Sequence, residues 1–349
     1  MNRQQVGTRA VAFAALLMTL VSCGRADERT LFLRAGTSDL PILVRGPESA
    51  ETLVVFVHGG PGGSSIAYAT AMPAAFDPIS ERHLFASYDQ RGAGTAQGMT
   101  KDEELTLAQH TEDLGEVVAL LRAQYPSVER VVLLGHSWGG TLTTNYLADE
   151  TRASGIAGWI NVSGATSMPR VVELSRAWAV DRAQAKVDSG EEAERWREAL
   201  AWYEANPVLD AVNMAPHLEN VDALGGTVHD PSQVKSNRLG SVFFSPYSVG
   251  ADVHNAARTQ RVMIEDLLKI DLHWELPRIR LPTLLLHGEH DGRVPVTLAD
   301  EVLPLLGTPD TQKSLVRFER SGHRPFLEEP EKFVEAVNTF LDGLSAAAR

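Results

Sequence analysis

An unbroken apolar run that ends in a small-residue turn constrains the fold of this chain most strongly. Val131–Leu134 is the kind of segment expected for a strand covered on both faces of a sheet. It leads into Gly135–Gly140 (Gly-His-Ser-Trp-Gly-Gly), and a helical segment is predicted from Gly139 to about Asp149. The segment therefore predicts a strand, a tight turn and a helix in direct succession, with Ser137 at the turn.

Apolar runs alternate with helical periodicity along the rest of the chain. The predicted strands are Leu31–Ala35, Leu40–Arg45, Thr52–Val57, Leu84–Tyr88, Val131–Leu134, Ile156–Val162, Thr283–Leu286 and Leu315–Phe318. The predicted helices are Glu103–Ala123, Gly139–Asp149, Val296–Leu306 and Pro330–Leu344. Strands that alternate with helices and are apolar throughout indicate an α/β protein with a mostly parallel, doubly wound sheet.

The strand pattern stops between Gly164 and Pro282. Residues 165–275 are rich in helix-forming residues, tryptophan and charge, which predicts a helical cap inserted into the α/β core. The core is then expected to comprise residues 31–164 and 276–349. A length of 349 residues accommodates one large α/β domain with such an insertion.

The first thirty residues have the pattern of a targeting segment. Arg3 and Arg9 precede an apolar stretch that is too short to cross a bilayer but suits a signal peptide. The stretch ends in Leu-Val-Ser-Cys at residues 20–23, which resembles a bacterial lipobox. We expect residues 1–22 to be a lipoprotein signal peptide, Cys23 to carry the lipid, and residues 23–30 to be a tether. The alternative is an ordinary signal peptide with an incidental cysteine.

A lipid on Cys23 implies a location in the bacterial cell envelope. The protein would be anchored through that lipid, either facing the periplasm or at the outer membrane. Cys23 is the only cysteine, so an intramolecular disulfide and a cysteine-rich zinc site are excluded. The net charge of −13 argues against nucleic acid as a partner, because phosphate binding needs lysine and arginine.

Three residues in the order Ser, Asp, His predict nucleophilic catalysis. Ser137 follows a buried strand, Asp291 follows the strand Thr283–Leu286, and His323 follows the last strand. In such a triad the serine attacks, the histidine takes its proton, and the aspartate orients the histidine. Glu289 is the alternative acid, whereas His136 is expected to be part of the turn.

A glycine-rich loop at His58–Gly63 follows the strand Thr52–Val57. It can offer a free main-chain N–H group to a tetrahedral oxyanion, and we expect Gly60 and Trp138 to be the two donors. The loop lacks the sequence patterns of nucleotide-binding loops. His287 and His290 have no evident third ligand, so neither a metal nor an organic cofactor is predicted.

Three motifs together resemble the proline iminopeptidase branch of the α/β-hydrolases. They are His-Gly-Gly-Pro-Gly-Gly at 58–63, Tyr-Asp-Gln-Arg-Gly at 88–92, and Gly-His-Ser-Trp-Gly-Gly at 135–140. The resemblance covers about residues 50–164 and 280–340. It implies an α/β-hydrolase fold and removal of an N-terminal residue, often proline, from peptides. Where the family usually has Gly-Gly-Ser-Trp-Gly-Ser, this chain has His136 and Gly140.

The resemblance also implies that carboxylates of the cap hold the free amine of the substrate. Glu204 ends a tryptophan-rich segment, Trp196–Glu204, that resembles the corresponding family segment, and it is the candidate for this role. The alternative is a solvated carboxylate on a helix face. Cap aromatic residues could line an apolar pocket, although packing within the cap is the simpler interpretation; they are Trp178, Trp196, Trp202, Phe243, Phe244 and Tyr247.

Three functions follow from these motifs. The first is a serine aminopeptidase, like the proline iminopeptidases, acting on short peptides through an acyl-enzyme. The second is a serine esterase or related acyl hydrolase that acts on small esters with the same triad. The third is a lipoprotein that binds a ligand without catalysis. The sequence leaves the natural substrate and the oligomeric state open.

Overall fold

The computed structural model describes residues 28–233 and 249–347. The strands described are β1 (Glu28–Ala35), β2 (Ser38–Arg45), β3 (Thr52–Val57), β4 (Leu84–Tyr88), β5 (Gln97–Gly98), β6 (Arg130–His136), β7 (Gly158–Val162), β8 (Thr283–Gly288) and β9 (Lys313–Phe318). The helices described are α1 (Ser65–Ala71), α2 (Pro73–Ser80), α3 (Leu107–Gln124), α4 (Trp138–Leu147), α5 (Glu150–Ala153), α6 (Met168–Ser189), α7 (Ala193–Ala205), α8 (Met214–Ala223), α9 (Val249–Leu267), α10 (Thr297–Leu305), α11 (Pro325–Glu328) and α12 (Pro330–Ala347).

The strands form one mostly parallel sheet. Their order is β1-β2-β4-β3-β6-β7-β8-β9, with the short β5 paired to β2. The pairs β1–β2 and β2–β4 are antiparallel, whereas every pair from β4–β3 to β8–β9 is parallel. The parallel strands therefore present their carboxyl ends at one edge, where functional side chains of this architecture collect. The predicted α/β fold with a mostly parallel sheet is confirmed.

Alternate residues of the buried strands pack into two separate layers. In β3, Leu53, Val55 and Val57 contact the layer under α3, α4 and α10, which includes Leu121. Val54 and Phe56 contact the opposite layer under α1, α2 and α12. Because side chains alternate across a strand, an unbroken apolar run is what a sheet with helices on both faces requires.

Between β7 and β8, the described residues form four α-helices. They are α6, α7, α8 and α9, and they occupy the stretch predicted to be a cap. Tyr203 of α7 and Val221 of α8 pack with Ala179 of α6, and Trp196 of α7 packs with Ala183. α6, α7 and α8 are thus joined to each other by small apolar clusters, whereas Met263 and Leu267 of α9 pack against Trp138 of the core.

The first strand begins earlier than predicted. β1 starts at Glu28 rather than Leu31, so residues 28–30 of the predicted tether are paired with β2. Arg45 explains the difference, because its Nε donates to the Glu28 carboxylate at 2.7 Å across the pair. Cys23 and the predicted signal peptide lie outside the described residues.

Helix starts also differ where a side chain caps the first turn. The helix predicted from Glu103 begins at Leu107, because Thr106 accepts a hydrogen bond from the N–H of Gln109. The helix predicted to reach Asp149 ends at Leu147. Asp149 instead caps the short α5.

Within residues 28–233 and 249–347, no helix is both long enough and apolar enough to cross a membrane.

Candidate active site

Ser137 occupies a strained turn between β6 and α4. Its backbone has φ 54° and ψ −117°, a conformation that a residue with a side chain rarely adopts. Close backbone contacts hold the turn: a Cβ at Gly139 would clash with the carbonyl oxygen of Val57, and one at Gly135 would lie 2.5 Å from the carbonyl oxygen of Gly139. Gly139 is required because the turn packs directly on β3, and Gly135 is required because the end of β6 lies against the first turn of α4. The result is a serine side chain held at the carboxyl edge of the sheet.

Asp291 and His323 meet in the loops that follow β8 and β9. The Nδ1 of His323 lies 2.8 Å from Oδ2 of Asp291, and both residues are buried. The other carboxylate oxygen of Asp291 accepts the main-chain N–H groups of Arg293 and Val294, each at 2.9 Å. With its Nδ1–H donated to Asp291, a neutral His323 leaves Nε2 free to accept a proton.

The electrostatics of this pair favour an ionised aspartate and a neutral histidine. Burial raises the pKa of Asp291, but the charges and hydrogen bonds of His323 and His287 more than offset it, so the pKa lies below its ordinary value. Burial lowers the pKa of His323 and outweighs the opposing effect of Asp291. At neutral pH the imidazole is therefore neutral, which is the state that a general base needs.

The alternative candidates have other partners. Glu289 forms an ion pair with Arg317 at 3.0 Å, whereas the His323 ring contacts Asp291. His136 is buried, and its Nε2 donates to the main-chain carbonyl of His323 at 3.1 Å. Desolvation lowers the pKa of His136 well below its ordinary value, so the ring is neutral. His136 therefore supports the backbone on which His323 is placed.

The glycine-rich loop is held beside Ser137 by the Asp-Gln-Arg-Gly segment. Gln90 links the loop to the turn: its main-chain N–H donates to Nε2 of His58, its side-chain amide donates to the His58 carbonyl, and its side-chain oxygen accepts the indole N–H of Trp138. Burial lowers the pKa of His58 to about 4, so this ring is neutral and accepts the Gln90 N–H. Gly60 and Trp138 both line the cavity that contains Ser137.

That cavity has a volume of about 830 Å³ and lies between the core and the cap. Ser137 and His323 form part of its wall, together with the glycine-rich loop. The cap side of the wall is mainly apolar and includes Met168, Val171, Val172, Met214, Leu218 and Ile264. A cavity of this size and composition suits a small organic substrate whose orientation is set by a few polar groups.

The cap carboxylates in this wall are not the one predicted from the sequence. Glu204 is exposed on α7 and is absent from the cavity wall, so its position does not support a substrate-binding role. Glu219 and Asp222, one turn apart on α8, line the cavity instead. Asp222 is engaged by Arg293, whose guanidinium donates to both carboxylate oxygens at 2.8 and 2.7 Å. Glu219 is exposed and has no ion-pair partner within the described part of the chain.

A second serine–histidine pair, absent from the sequence-based candidates, joins the cap to the Asp291 loop. The hydroxyl of Ser175 donates to the carbonyl of Gly292 at 2.5 Å, and Nε2 of His217 lies 2.9 Å from the same hydroxyl. Tyr203 lies 2.9 Å from the other ring nitrogen of His217. Because Ser175 gives its proton to a carbonyl, His217 acts as a donor to it rather than as a base. The chain of bonds is a structural link between α6, α7, α8 and the loop after β8.

The other candidates were the cap aromatic residues and the histidines His287 and His290. Trp196 is buried in the cap, and Trp178 and Trp202 pack against its clusters; none of the three lines the cavity. Phe243, Phe244 and Tyr247 lie outside the described residues. Nε2 of His287 contacts the carbonyl of Val294, and Nε2 of His290 contacts that of Glu319. No group of three or more metal-ligating side chains is found within residues 28–233 and 249–347.

Comparison with known proteins agrees with the fold described above. The family model for the alpha/beta hydrolase fold matches residues 52–330. A proline iminopeptidase of Saccharolobus solfataricus is 27% identical over 293 residues, which cover 83% of this chain and 84% of that protein. A proline iminopeptidase of Heyndrickxia coagulans is 26% identical over 298 residues, which cover 84% of this chain and 91% of that protein. The crystal structure of the Mycobacterium smegmatis proline iminopeptidase has the same fold, with a TM-score of 0.65 at 19% identity over 92% of this chain and all of that one.

Proposed function

Because the chain belongs to the α/β-hydrolase family, in its proline iminopeptidase-like branch, we propose that it is a serine aminopeptidase that removes the N-terminal residue of short peptides. One observation carries the proposal. Strained Ser137 and the His323–Asp291 pair converge on a cavity under the cap, and that cavity also holds an unpaired carboxylate, Glu219.

The proposed chemistry is acyl transfer in two steps. Ser137 attacks the carbonyl carbon of the scissile bond while His323 takes the serine proton, and Asp291 stabilises the imidazolium that forms. The main-chain N–H groups of Gly60 and Trp138 donate to the oxyanion. His323 then returns the proton to the leaving amine, and the acyl-enzyme is hydrolysed by a water molecule that His323 activates.

In this proposal Glu219 binds the α-ammonium group of the substrate. An ammonium ion in a largely apolar cavity requires a nearby negative charge, and Glu219 is the wall carboxylate that is not already paired. Asp222 is neutralised by Arg293 and contributes little net charge. Glu219 replaces Glu204 as the candidate for this role.

A serine esterase is the second candidate function. The triad chemistry serves esters equally well, and the cap wall is mostly apolar while Glu219 is exposed to solvent, where ammonium binding is weak. A small ester needs no ammonium site at all. The requirement for a free α-amine therefore separates the two functions.

The test compares kcat/KM for three substrates: prolyl-p-nitroanilide, its N-acylated form and a short-chain p-nitrophenyl ester. If the protein is an aminopeptidase, it should cleave prolyl-p-nitroanilide and should not cleave the N-acylated form. Glu219→Gln should raise KM for the free-amine substrate, whereas Glu204→Gln, the matched control, should not. Turnover of the ester alone would establish the esterase.

The catalytic role of Ser137 is tested with the same substrates. Ser137→Ala should lower kcat by roughly 10⁴-fold or more while the protein stays folded. A fluorophosphonate should label the native protein and not the variant. Resistance of the native protein to the reagent would favour the third possibility, a binding lipoprotein without catalysis.

We also propose that the protein is a lipoprotein of the bacterial cell envelope, anchored through Cys23. Support comes from the sequence alone, from the charged start, the short apolar stretch and the Leu-Val-Ser-Cys segment at residues 20–23. An anchored enzyme of this kind would act on small peptides or esters present in the envelope.

A further inference from the structure

Arg324 directly follows His323 and lines the cavity, yet no acidic side chain pairs with it among the residues that the structure describes. The contrast with Arg293 is informative, because Arg293 lines the same cavity and is fixed to both oxygens of Asp222. Of these two cationic groups in the wall, one is neutralised by the protein and the other is left available.

The surroundings of Arg324 hold its guanidinium in place but do not supply a hydrogen-bond acceptor for its Nε. Its guanidinium carbon lies 5.7 Å from the centre of the Tyr68 ring, which also lines the cavity. Its Nε is shielded from solvent and has no hydrogen-bond acceptor within the described part of the chain. A buried donor that lacks an acceptor is costly, so the site is suited to a ligand that supplies one.

A second guanidinium supports the same conclusion. Arg261 of α9 also lines the cavity, and no carboxylate pairs with it in residues 28–233 and 249–347. The wall therefore offers two unpaired positive charges, Arg261 and Arg324, against one unpaired negative charge, Glu219. A substrate with only an ammonium group would leave both cations without a partner.

The position of Arg324 indicates which part of the substrate it meets. The leaving amine must contact His323, because His323 returns the proton to it. The chain beyond the scissile bond therefore begins beside His323, where the next residue is Arg324. In a dipeptide this part of the substrate ends in a carboxylate.

We propose that Arg324 binds the C-terminal carboxylate of the substrate, so that the enzyme prefers dipeptides and other very short peptides with a free carboxyl end. The planar guanidinium can donate two parallel hydrogen bonds to a carboxylate, a geometry that lysine cannot reproduce. The ammonium end then faces Glu219 and the carboxylate end faces Arg324. This inference rests on the proposed aminopeptidase function and adds a substrate class to it.

The test measures kcat/KM for Pro-Ala and for Pro-Ala-amide, with prolyl-p-nitroanilide as a reference that has no carboxylate. The native protein should prefer the free acid by at least about tenfold, since a charge-assisted bidentate pair contributes about that factor. Arg324→Met should bring the acid-to-amide ratio close to one, and Arg324→Lys should give an intermediate ratio. Using a ratio within each protein cancels any effect of the substitution on His323.

Arg320→Met is the matched control. Arg320 lies four residues away, is largely exposed, contacts Glu329 and does not line the cavity. The acid-to-amide ratio of this variant should therefore equal that of the native protein. Equal turnover of acid and amide by the native protein, with prolyl-p-nitroanilide also cleaved, would overturn the carboxylate site and leave the aminopeptidase function intact. A native preference that survives in Arg324→Met and is lost in Arg261→Met would overturn the assignment to Arg324. Lack of turnover of all three substrates would overturn both proposals.

Discussion

In the proposed mechanism His323 accepts a proton only while its ring is neutral, and this would set the pH dependence of the reaction. Burial lowers the pKa of His323 from 6.5, Asp291 opposes the change, and Arg293 and Arg324 add to it. We therefore expect kcat/KM to rise with pH through a midpoint below 6.5 and to level off by neutral pH. A pH–rate profile measures this, and a midpoint above about 7, which is higher than the ordinary histidine pKa, would contradict it.

Asp291→Asn extends the same experiment. The amide cannot hold the Nδ1–H form of His323 as the carboxylate does, so kcat should fall by about 10⁴-fold. The midpoint of the residual activity should move to lower pH, because the negative charge that raises the pKa of His323 is gone. Glu289→Gln is the control, since Glu289 contacts Arg317 rather than His323.

Gly139 is required by packing rather than by an unusual backbone angle. A Cβ there would clash with the main-chain oxygen of Val57, which belongs to the central strand β3 and cannot move away. Gly139→Ala should lower the free energy of unfolding by about 2–3 kcal/mol. Gly343→Ala is the opposite case, because nothing lies within 4 Å of a Cβ in that exposed turn of α12. It should raise the free energy of unfolding by about 0.5–1 kcal/mol. Urea unfolding of each variant and of the native protein measures both changes in unfolding free energy.

Among single residues, the candidates near strand ends lie together in the structure, whereas the candidate in the cap, Glu204, does not line the cavity. Ser137, Asp291 and His323 each follow an apolar strand that fixes where the chain turns, and the structure brings them to one edge of the sheet. Glu204 and Glu219 both lie on amphipathic cap helices, and nothing local tells which face of a helix meets the core. That depends on how the cap docks, which is a tertiary property.

Glu328, on α11, connects the loop that carries His323 to the segment that follows α8. Its carboxylate accepts the N–H of Gly322, in the His323 loop, at 2.8 Å, and those of His229 and Asp230, in the segment after α8, at 2.6 and 3.1 Å. Burial raises the pKa of Glu328, and the three N–H groups oppose this.

Glu328→Gln should therefore weaken both the fold and the reaction. The amide keeps one acceptor oxygen and turns an NH₂ group toward main-chain N–H groups, which should cost about 1.5–3 kcal/mol of unfolding free energy. We expect kcat to fall as well, because the loop carrying His323 loses its support. Glu335→Gln, on the exposed face of α12, is the control for both measurements. Unchanged stability and kcat in Glu328→Gln would show that the three contacts contribute nothing.

The limits of a strand or helix could be predicted from the sequence where nearby residues alone determine them. The parallel strands are apolar throughout because helices cover both faces, so β3 and β4 have the predicted limits. β1 was predicted three residues too short because its first residues are polar and exposed. They are ordered by pairing with β2 and by the Arg45–Glu28 contact, which involve residues seventeen positions apart.

The whole molecule should be sensitive to mild acid because it buries several neutral histidines. Desolvation lowers the pKa of His58, His110 and His217 to about 4. As the pH falls below the unfolded value of about 6.5, the unfolded chain takes up protons that the folded protein does not. Stability is therefore lost as the pH falls toward 4, by up to about 3 kcal/mol for each histidine.

Urea unfolding at a series of pH values between 7 and 4 measures this loss. His110→Gln should reduce the decline in unfolding free energy relative to the native protein, although it also changes stability at pH 7. His254→Gln, at an exposed position on α9, should leave the slope unchanged. A stability that is flat from pH 7 to pH 4.5 would contradict the expectation.

The attachment of the molecule to a membrane is expected to depend on one thiol. Cys23→Ser should prevent lipidation and release the protein from sedimented membranes, because a single unlipidated apolar stretch of this length is a poor anchor. Fractionation of cells that produce each form measures the distribution. Unchanged sedimentation of the serine variant would contradict the lipoprotein proposal.

The early start of β1 limits how far a lipidated enzyme could travel from its bilayer. Glu28 is already part of the sheet, so only the residues from Cys23 to Glu28 could form the tether between the lipid and the folded domain. At about 3.5 Å per residue, five steps of extended chain span at most about 18 Å, which is less than the width of the folded domain. An anchor at Cys23 would thus make the enzyme a surface catalyst. It would sample peptides in the thin layer next to the membrane rather than throughout the surrounding compartment.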